Sequence, residues 1–145
     1  MRIQTSIDID APADRVWAIL TDFEHYGAWN PLILRVKTVS QPRVGMDLQF
    51  VVSLAGRKMK RTHVLSRFDA STRVLGWTLK SDATWWAHGE RVQRVESLGP
   101  GRCRYTNDEQ VHGLIGVISG LLVEAKVRAA LEAVGRELAV RAISA

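Results

Sequence analysis

The chain has 145 residues and a mass of 16.2 kDa, a length typical of one domain. Hydrophobic residues make up 46% of it and charged residues 24%, which excludes a disordered chain or a fibre. The net charge of +5 is compatible with an anionic partner, and the single cysteine, Cys103, excludes an internal disulfide and a multi-thiolate metal site. We therefore expect one domain spanning residues 1–145.

Neither a membrane span nor a secretory signal is predicted. The longest apolar stretch, residues 113–123, is about half as long as the ~20 residues that cross a bilayer. The first residues have no continuous apolar run behind Arg2, as a signal peptide would. We expect a cytoplasmic protein without a transmembrane segment, as a monomer or homodimer.

The N-terminal part predicts a strand followed by helix. Residues 2–9 alternate between apolar and polar side chains, which is typical of a strand with one buried face. Pro12 between acidic residues indicates a helix start, and apolar residues repeat at helical spacing from 16 to 23. Gly27 ends this helical stretch, and Pro31 favours an extended exit.

Six strand-like segments follow, separated by residues that favour turns. They cover residues 32–40, 46–54, 57–67, 73–81, 84–97 and 102–112. From Leu114 the spacing becomes helical, with an apolar stripe from Val123 to Leu138, and predicts a helix of about thirty residues that includes Gly120. Strands in succession with helices at both ends indicate an α+β fold with an antiparallel sheet.

The first hairpin predicts which side chains of its two strands face inward. A two-residue loop at Ala55-Gly56 sets the register. The resulting cross-strand pairs are Leu54 with Arg57, Val52 with Met59, Phe50 with Arg61, and Leu48 with His63. The first member of each pair is apolar, so this face is buried and Arg61 and His63 point into the interior. Lys58 and Lys60 then point outward.

A second hairpin, around Gly99-Pro100-Gly101, places polar side chains on the same concave face. Its inward pairs are Val95 with Tyr105, Gln93 with Asn107, Arg91 with Glu109, and Gly89 with Val111, and its outward pairs include Glu96 with Arg104. An unsatisfied buried polar group costs about 1–3 kcal/mol. This many inward polar groups therefore predict an interior pocket rather than a filled core.

Two blocks of the chain carry a family resemblance. The first is IDAPADRVW at residues 9–17 with DF at 22–23 and YGAWNP at 26–31. The second joins residues 89–90, the turn at 99–101 and EQVHGLIG at 109–116, which leads into the long helix. Together they resemble the START-like, or SRPBCC, helix-grip superfamily, particularly its polyketide cyclase/dehydrase branch, over essentially the whole chain.

The resemblance implies a curved antiparallel seven-stranded sheet around a long C-terminal helix, with two short helices after the first strand. It also implies a cavity between the sheet and that helix. Members bind hydrophobic or amphipathic small molecules such as lipids, polyketides or isoprenoids, and some are cyclases. The superfamily has no shared catalytic motif, so no catalytic residue is assigned.

Arg91 and Glu109 are the leading polar candidates, and three roles stay open for them. They can anchor a ligand carbonyl, hydroxyl or carboxylate. Glu109 can instead move a proton while Arg91 sets its charge. Alternatively, the two residues form a salt bridge that only holds the strand register.

Large aromatic residues are candidate pocket walls, because their rings bind apolar ligands, although each also fits an ordinary core position. The full set of predicted ligand-binding residues is Trp29, Phe50, Arg61, His63, Trp77, Trp85, Arg91, Gln93, Asn107, Glu109 and Ile118. No cofactor is expected. No metal site is expected either, because His63 falls inside while His88 and His112 fall on the outer face, and three imidazoles on two faces cannot share one ion.

These residues favour binding of a hydrophobic or amphipathic small molecule. An alternative is a polyketide cyclase/dehydrase-type enzyme, with Glu109 as acid/base and Arg91, Arg61 or His63 stabilising negative charge. A third hypothesis is a domain that binds a macromolecule through outer-face Lys58 and Lys60. Nucleic acid is not expected as the partner, since that face lacks interleaved aromatic residues.

Overall fold

The computed structural model describes residues 1–37, 41–54, 56–80, 88–113 and 120–144. The strands are β1 (Arg2–Ile9), β2 (Ile33–Lys37), β3 (Asp47–Leu54), β4 (Arg57–Asp69), β5 (Val74–Leu79), β6 (His88–Gly99) and β7 (Arg102–His112). They form one antiparallel sheet in the order β1-β7-β6-β5-β4-β3-β2. Every predicted strand is therefore present, and the parts predicted at 38–40, 81 and 84–87 lie outside the described residues.

Both predicted hairpin registers are confirmed. Strands β3 and β4 pair Leu54 with Arg57 and continue to Leu48 with His63, and β6 and β7 pair Arg91 with Glu109. Gly56 has a φ of +77°, the left-handed conformation that a two-residue hairpin loop requires. Register irregularities in β2–β3, β4–β5 and β6–β7 add the local bends that curve a sheet.

Two short helices follow β1, as predicted: α1 (Ala13–Thr21) and a 3₁₀ helix (Phe23–Ala28). Pro12 precedes α1, where a missing N–H costs no helical hydrogen bond. After the 3₁₀ helix, the buried Asn30 side chain accepts hydrogen bonds from the backbone N–H groups of Leu32 (2.9 Å) and Ile33 (2.8 Å). This amide therefore turns the chain into β2.

The long C-terminal helix α2 (Leu121–Ser144) has 24 residues. The expectation that Gly120 lies within it is wrong: Gly120 precedes the first helical residue, and its carbonyl accepts the N–H groups of Val123 (3.0 Å) and Glu124 (3.2 Å). Glycine is a poor helix former but is tolerated at the N-cap. The predicted helical segment 114–119, with Ile118, lies outside the described residues.

Helix α2 packs on one face of the sheet and completes the α+β helix-grip arrangement. Its buried residues Leu131, Val134 and Leu138 continue the apolar stripe seen in the sequence. Gly135 allows the helix to come close to β1, since a Cβ there would lie 3.2 Å from the Ile7 side chain. Within the described part of the chain, no helix has both the length and the apolar character that crossing a bilayer requires.

Candidate functional site

A cavity of about 300 Å³ opens on the concave face of the sheet. Its described walls come from Leu32 and strands β2 to β7, and no α2 side chain that the structure describes lines it. The apolar part of the wall includes Ile33, Val52, Leu54, Met59, Leu79 and Val111. The walls that the structure describes therefore come mainly from the sheet, and the predicted location between the sheet and the C-terminal helix stays a prediction.

Three rings form a continuous aromatic wall in this cavity. The Phe50 ring lies 4.6 Å from the His63 ring and 5.0 Å from the Trp77 ring, between ring centroids. The Phe50–Trp77 contact is edge-to-face, a geometry that aromatic quadrupoles favour. The three rings come from the adjacent strands β3, β4 and β5, whose pleat places Phe50, His63 and Trp77 on the same face around one cavity.

His63 is the titratable member of that wall, and it is held neutral. Burial, and after it the positive charges of Arg91 and Arg61, lower its pKa to about 4. Its Nδ1 atom is buried without a hydrogen-bond partner among the described residues. A neutral imidazole carries one donor and one acceptor nitrogen, so His63 can exchange one hydrogen bond with a polar group in the cavity.

Arg91 and Glu109 form an ion pair in the cavity wall. The Arg91 Nε donates to the Glu109 Oε2 at 2.6 Å, and the two side chains are only 14% and 18% exposed. The bond engages one of the five N–H donors of a guanidinium, so the others are the groups available to a ligand oxygen. Across β5 and β6, Arg91 is paired with Trp77, which connects the ion pair to the aromatic wall.

Gln93, Tyr105 and Asn107 make a buried polar network further along the same strands. The Tyr105 hydroxyl donates to Gln93 Oε1 at 2.6 Å and accepts from Asn107 Nδ2 at 3.1 Å. Burial raises the pKa of Tyr105, which keeps the phenol protonated. Gln93 Nε2 and Asn107 Oδ1 have no partner in the part of the chain that the structure describes.

The structure brings six of the predicted ligand residues together and leaves others apart. Phe50, Arg61, His63, Trp77, Arg91 and Glu109 line the cavity. Gln93 and Asn107 face inward but are not among its described lining, and ligand contact by them stays a prediction. Trp85 and Ile118 lie outside the described residues.

Two of the predicted positions differ in environment from the rest. Trp29 is 8% exposed and packs edge-to-face on Tyr26, with 5.2 Å between ring centroids, and it is not among the described cavity lining. Arg61 is exposed at the cavity rim, where its guanidinium donates to the Lys60 carbonyl at 3.1 Å and to the Met59 sulfur at 3.2 Å. Lys60 itself is exposed, as the predicted register requires.

The non-aromatic part of the apolar lining is what the sequence-based prediction missed. Met59 and Val111 could have been found, because they face Val52 and Gly89 in registers that the turns already predicted. Leu32 and Ile33 carry no such signal, since they reach the cavity only through the pairing of β2 with β3.

The outer face of the sheet carries charged side chains that do not line the cavity, among them Asp8 and Arg104. Arg104 is opposite Glu96 as predicted, yet its guanidinium donates to Asp8 of β1 at 2.7 Å.

Cys103 is buried, and burial raises the pKa of its thiol. Among the described residues, no group of three His, Cys, Asp or Glu side chains is placed to hold a metal ion.

One protein-family profile matches almost the full chain. A sequence profile of the family described as "Polyketide cyclase / dehydrase and lipid transport" matches residues 1–142. No protein of curated function matches the chain by sequence.

Solved structures share the fold at low sequence identity. A START superfamily protein from Mycobacterium smegmatis has a TM-score of 0.81 and 19% identity, covering 99% of this chain and 97% of that one. The protein TTHA0849 from Thermus thermophilus has a TM-score of 0.80 and 15% identity, with 99% and 98% covered. The Zhui aromatase/cyclase from Streptomyces sp. R1128 has a TM-score of 0.63 and 24% identity, with 97% and 87% covered.

Proposed function

Because the chain belongs to the polyketide cyclase / dehydrase and lipid transport family, we propose that its cavity binds a small hydrophobic or amphipathic molecule of the lipid, polyketide or isoprenoid class. The observation that carries this proposal is an apolar cavity with one nearly buried Arg–Glu ion pair in its wall. Apolar walls with a few placed polar groups are the usual composition of small-molecule sites.

The size of the cavity limits the ligand. A volume of about 300 Å³ lies at the lower end of the range for small-molecule pockets. A ring system or a short chain fits this volume better than a lipid with two long acyl chains. The aromatic wall of Phe50, His63 and Trp77 favours a flat or unsaturated ligand body, because ring faces and edges pack on one another.

The ion pair supplies the polar end of the site. A ligand carbonyl, hydroxyl or carboxylate accepts from the Arg91 guanidinium, while Glu109 keeps that cation neutralised when the cavity is empty. His63 offers the second polar contact, and its neutrality lets it donate to or accept from the ligand without bringing a charge. The ligand therefore carries one polar group, or two close together, on an apolar body.

Native mass spectrometry of the purified chain tests the proposal directly. We expect a bound small molecule, or uptake of one from a panel of fatty acids, isoprenoids and aromatic polyketides. Trp77 lies in the wall, so quenching of tryptophan fluorescence follows the same binding in solution. A chain that is purified without a bound small molecule and takes up no member of the panel would contradict the proposal.

A matched pair of variants assigns the polar contact. Glu109→Gln breaks the cavity ion pair, whereas Glu90→Gln breaks the Arg67–Glu90 ion pair (2.9 Å) on the outer face of the same sheet. We expect the first to change the affinity for a ligand with a polar head at least about tenfold and the second to leave it unchanged. Equal small effects of both would mean that the ion pair only supports the sheet.

The second candidate function is enzymatic, and the observation that favours it is that Glu109 and a neutral His63 line the same cavity. A carboxylate and an imidazole can pass a proton to and from a bound polyketide, and Arg91 can stabilise the enolate that forms. Cyclisation of a poly-β-keto thioester is then lost in Glu109→Gln while binding of the same compound persists. Parallel loss of binding and turnover would favour the carrier function.

A further inference from the structure

Four basic side chains lie together on the outer face of strands β2 to β4. The register places Arg35 and Lys60 on either side of Val51. Lys37 occupies the next outward position of β2, and Lys58 occupies the next outward position of β4. Neighbouring strands are about 4.8 Å apart and alternate residues of one strand about 7 Å apart, so the four backbone positions fall within roughly 20 Å. All four residues are exposed, and we call them the basic patch.

The basic patch carries no counter-charge within the part of the chain that the structure describes. None of its members takes part in an ion pair there. Strands β2 to β4 contain two acidic residues, and both are engaged elsewhere. Asp47 pairs with Lys80 at 2.9 Å, and Asp69 accepts from the Ser71 N–H at 2.9 Å. The patch is therefore a surface of one sign.

The rest of the outer face differs, because acidic side chains there match several of the cations. The ion pairs are Arg2–Asp108 (2.8 Å), Arg104–Asp8 (2.7 Å) and Arg67–Glu90 (2.9 Å). The four charges of the basic patch compare with a formal net charge of +5 for the whole chain. The patch is therefore a major source of the positive field around the molecule.

We propose that the basic patch attaches the chain to a membrane surface that carries anionic phospholipids. Such a surface is negatively charged, and each Lys or Arg close to it strengthens attachment roughly fivefold. Four of them favour an anionic over a neutral bilayer by a factor on the order of several hundred. Exposed lysines suit this partner, because a flexible ammonium group follows a diffuse charge and needs no fixed geometry.

The residues between the cations favour a lipid surface over a nucleic acid. The outward positions between them hold Gln49, Val51, Ser53 and Thr62, and none of these is aromatic. Proteins that bind single-stranded nucleic acid stack the bases on aromatic side chains. Attachment through the patch therefore depends on charge, which a layer of anionic headgroups supplies at every position.

The basic patch lies on strands that also form the cavity wall. In β4, Lys58 and Lys60 alternate with Met59 and Arg61, which line the cavity. Attachment through the patch therefore brings this wall next to the lipid headgroups. The use of this contact rests on the proposed function, since a molecule that binds an apolar cavity also concentrates in a bilayer. A carrier attached there collects its ligand from the membrane.

Co-sedimentation with extruded vesicles tests the attachment. One set of vesicles contains phosphatidylcholine alone, and the other an equal mixture of phosphatidylcholine and phosphatidylglycerol. We expect the chain to bind only the mixed vesicles in about 0.1 M salt and to be released in about 1 M salt, where the Debye length falls from about 10 Å to 3 Å. Equal binding to both sets, or no binding to the mixed vesicles, as an acidic protein partner would give, would overturn the proposal.

A matched pair of double variants locates the contact. Lys58→Gln with Lys60→Gln should weaken binding to the mixed vesicles about 25-fold, because it removes half of the basic patch. Arg94→Gln with Lys126→Gln is the control, since it removes the same charge from two exposed residues outside the patch, neither of which is ion-paired with a described residue. The control should weaken binding less than about threefold. An equal loss in both double variants would overturn the proposal, because net charge alone would then explain the binding.

Ligand uptake without vesicles separates this inference from the proposed function. Native mass spectrometry should show the same uptake by the wild-type chain and by Lys58→Gln with Lys60→Gln, since neither lysine is among the described cavity lining. Vesicle binding without ligand uptake would contradict the proposed function and support the membrane contact. Ligand uptake without vesicle binding would overturn the membrane contact alone.

Discussion

Replacing Glu109 with glutamine leaves Arg91 as a cation that has lost its counter-charge in a poorly hydrated wall. Breaking a fully buried ion pair by removing one partner costs about 3–5 kcal/mol, whereas an exposed pair contributes about 0–1 kcal/mol. The side chains here are 14% and 18% exposed, so the pair lies nearer the buried limit. Because the cavity is open and glutamine keeps an acceptor oxygen, we expect Glu109→Gln to lower the free energy of unfolding by about 2–3 kcal/mol.

Urea unfolding followed by tryptophan fluorescence measures this loss. For a chain of this length, it corresponds to a fall in Tm of roughly 3 °C per kcal/mol. Glu90→Gln is the control, because its pair with Arg67 is more exposed, with side-chain exposures of 51% for Arg67 and 29% for Glu90, and should cost less than about 1 kcal/mol.

A double variant separates the buried charge from general damage. Arg91→Met in the Glu109→Gln background removes the uncompensated cation and places an apolar side chain in an apolar wall, so stability should recover by about 1 kcal/mol or more. If Glu109→Gln costs no more than Glu90→Gln, and Arg91→Met restores nothing, then the pair is well hydrated and the reasoning about the cavity wall fails.

Three further predictions concern the residues around the site. In an NMR titration, His63 should stay neutral down to about pH 5, whereas the bond to Asp22 raises the pKa of His25. Because the pKa of His63 in the folded chain is lowered to about 4, its contribution to stability is complete above pH ~6.5 and is lost as the pH falls towards 4. A titration midpoint of His63 near pH ~6.5 would refute this. Gly89→Ala should lower the free energy of unfolding by about 3 kcal/mol, because the added Cβ would lie 2.4 Å from the β7 backbone. The added Cβ of Gly101→Ala meets no atom within 4 Å, so this control should change the free energy of unfolding little. Equal effects of the two variants in urea unfolding would contradict the close strand approach. Tyr105→Phe should cost about 1–3 kcal/mol by the same assay, because it removes a buried hydroxyl that makes two hydrogen bonds, and a neutral result would mean that water replaces it.

Local rules along the chain were enough to predict the strand pairing and the face of each side chain in the two hairpins. A hairpin joins residues close in the chain, so the turn and the two-residue period leave one register that buries the apolar face. The pairs Phe50–Arg61 and Arg91–Glu109 follow from this local rule and are present. The helix-grip fold also followed from the amino-acid sequence, because the resemblance covers the whole chain and the family profile matches residues 1–142.

Packing between distant segments sets which of these faces share a cavity and what charge each group carries there. Arg104 bonds to Asp8 rather than to its hairpin partner Glu96, because β1 returns to pair with β7 from nearly 100 residues away in the chain. The neutrality of His63 depends likewise on burial and on Arg91, which lies two strands away in the sheet. Burial and Coulomb energies depend on which groups are close in space. The alternation of side chains along a strand predicts such proximity only between neighbouring strands.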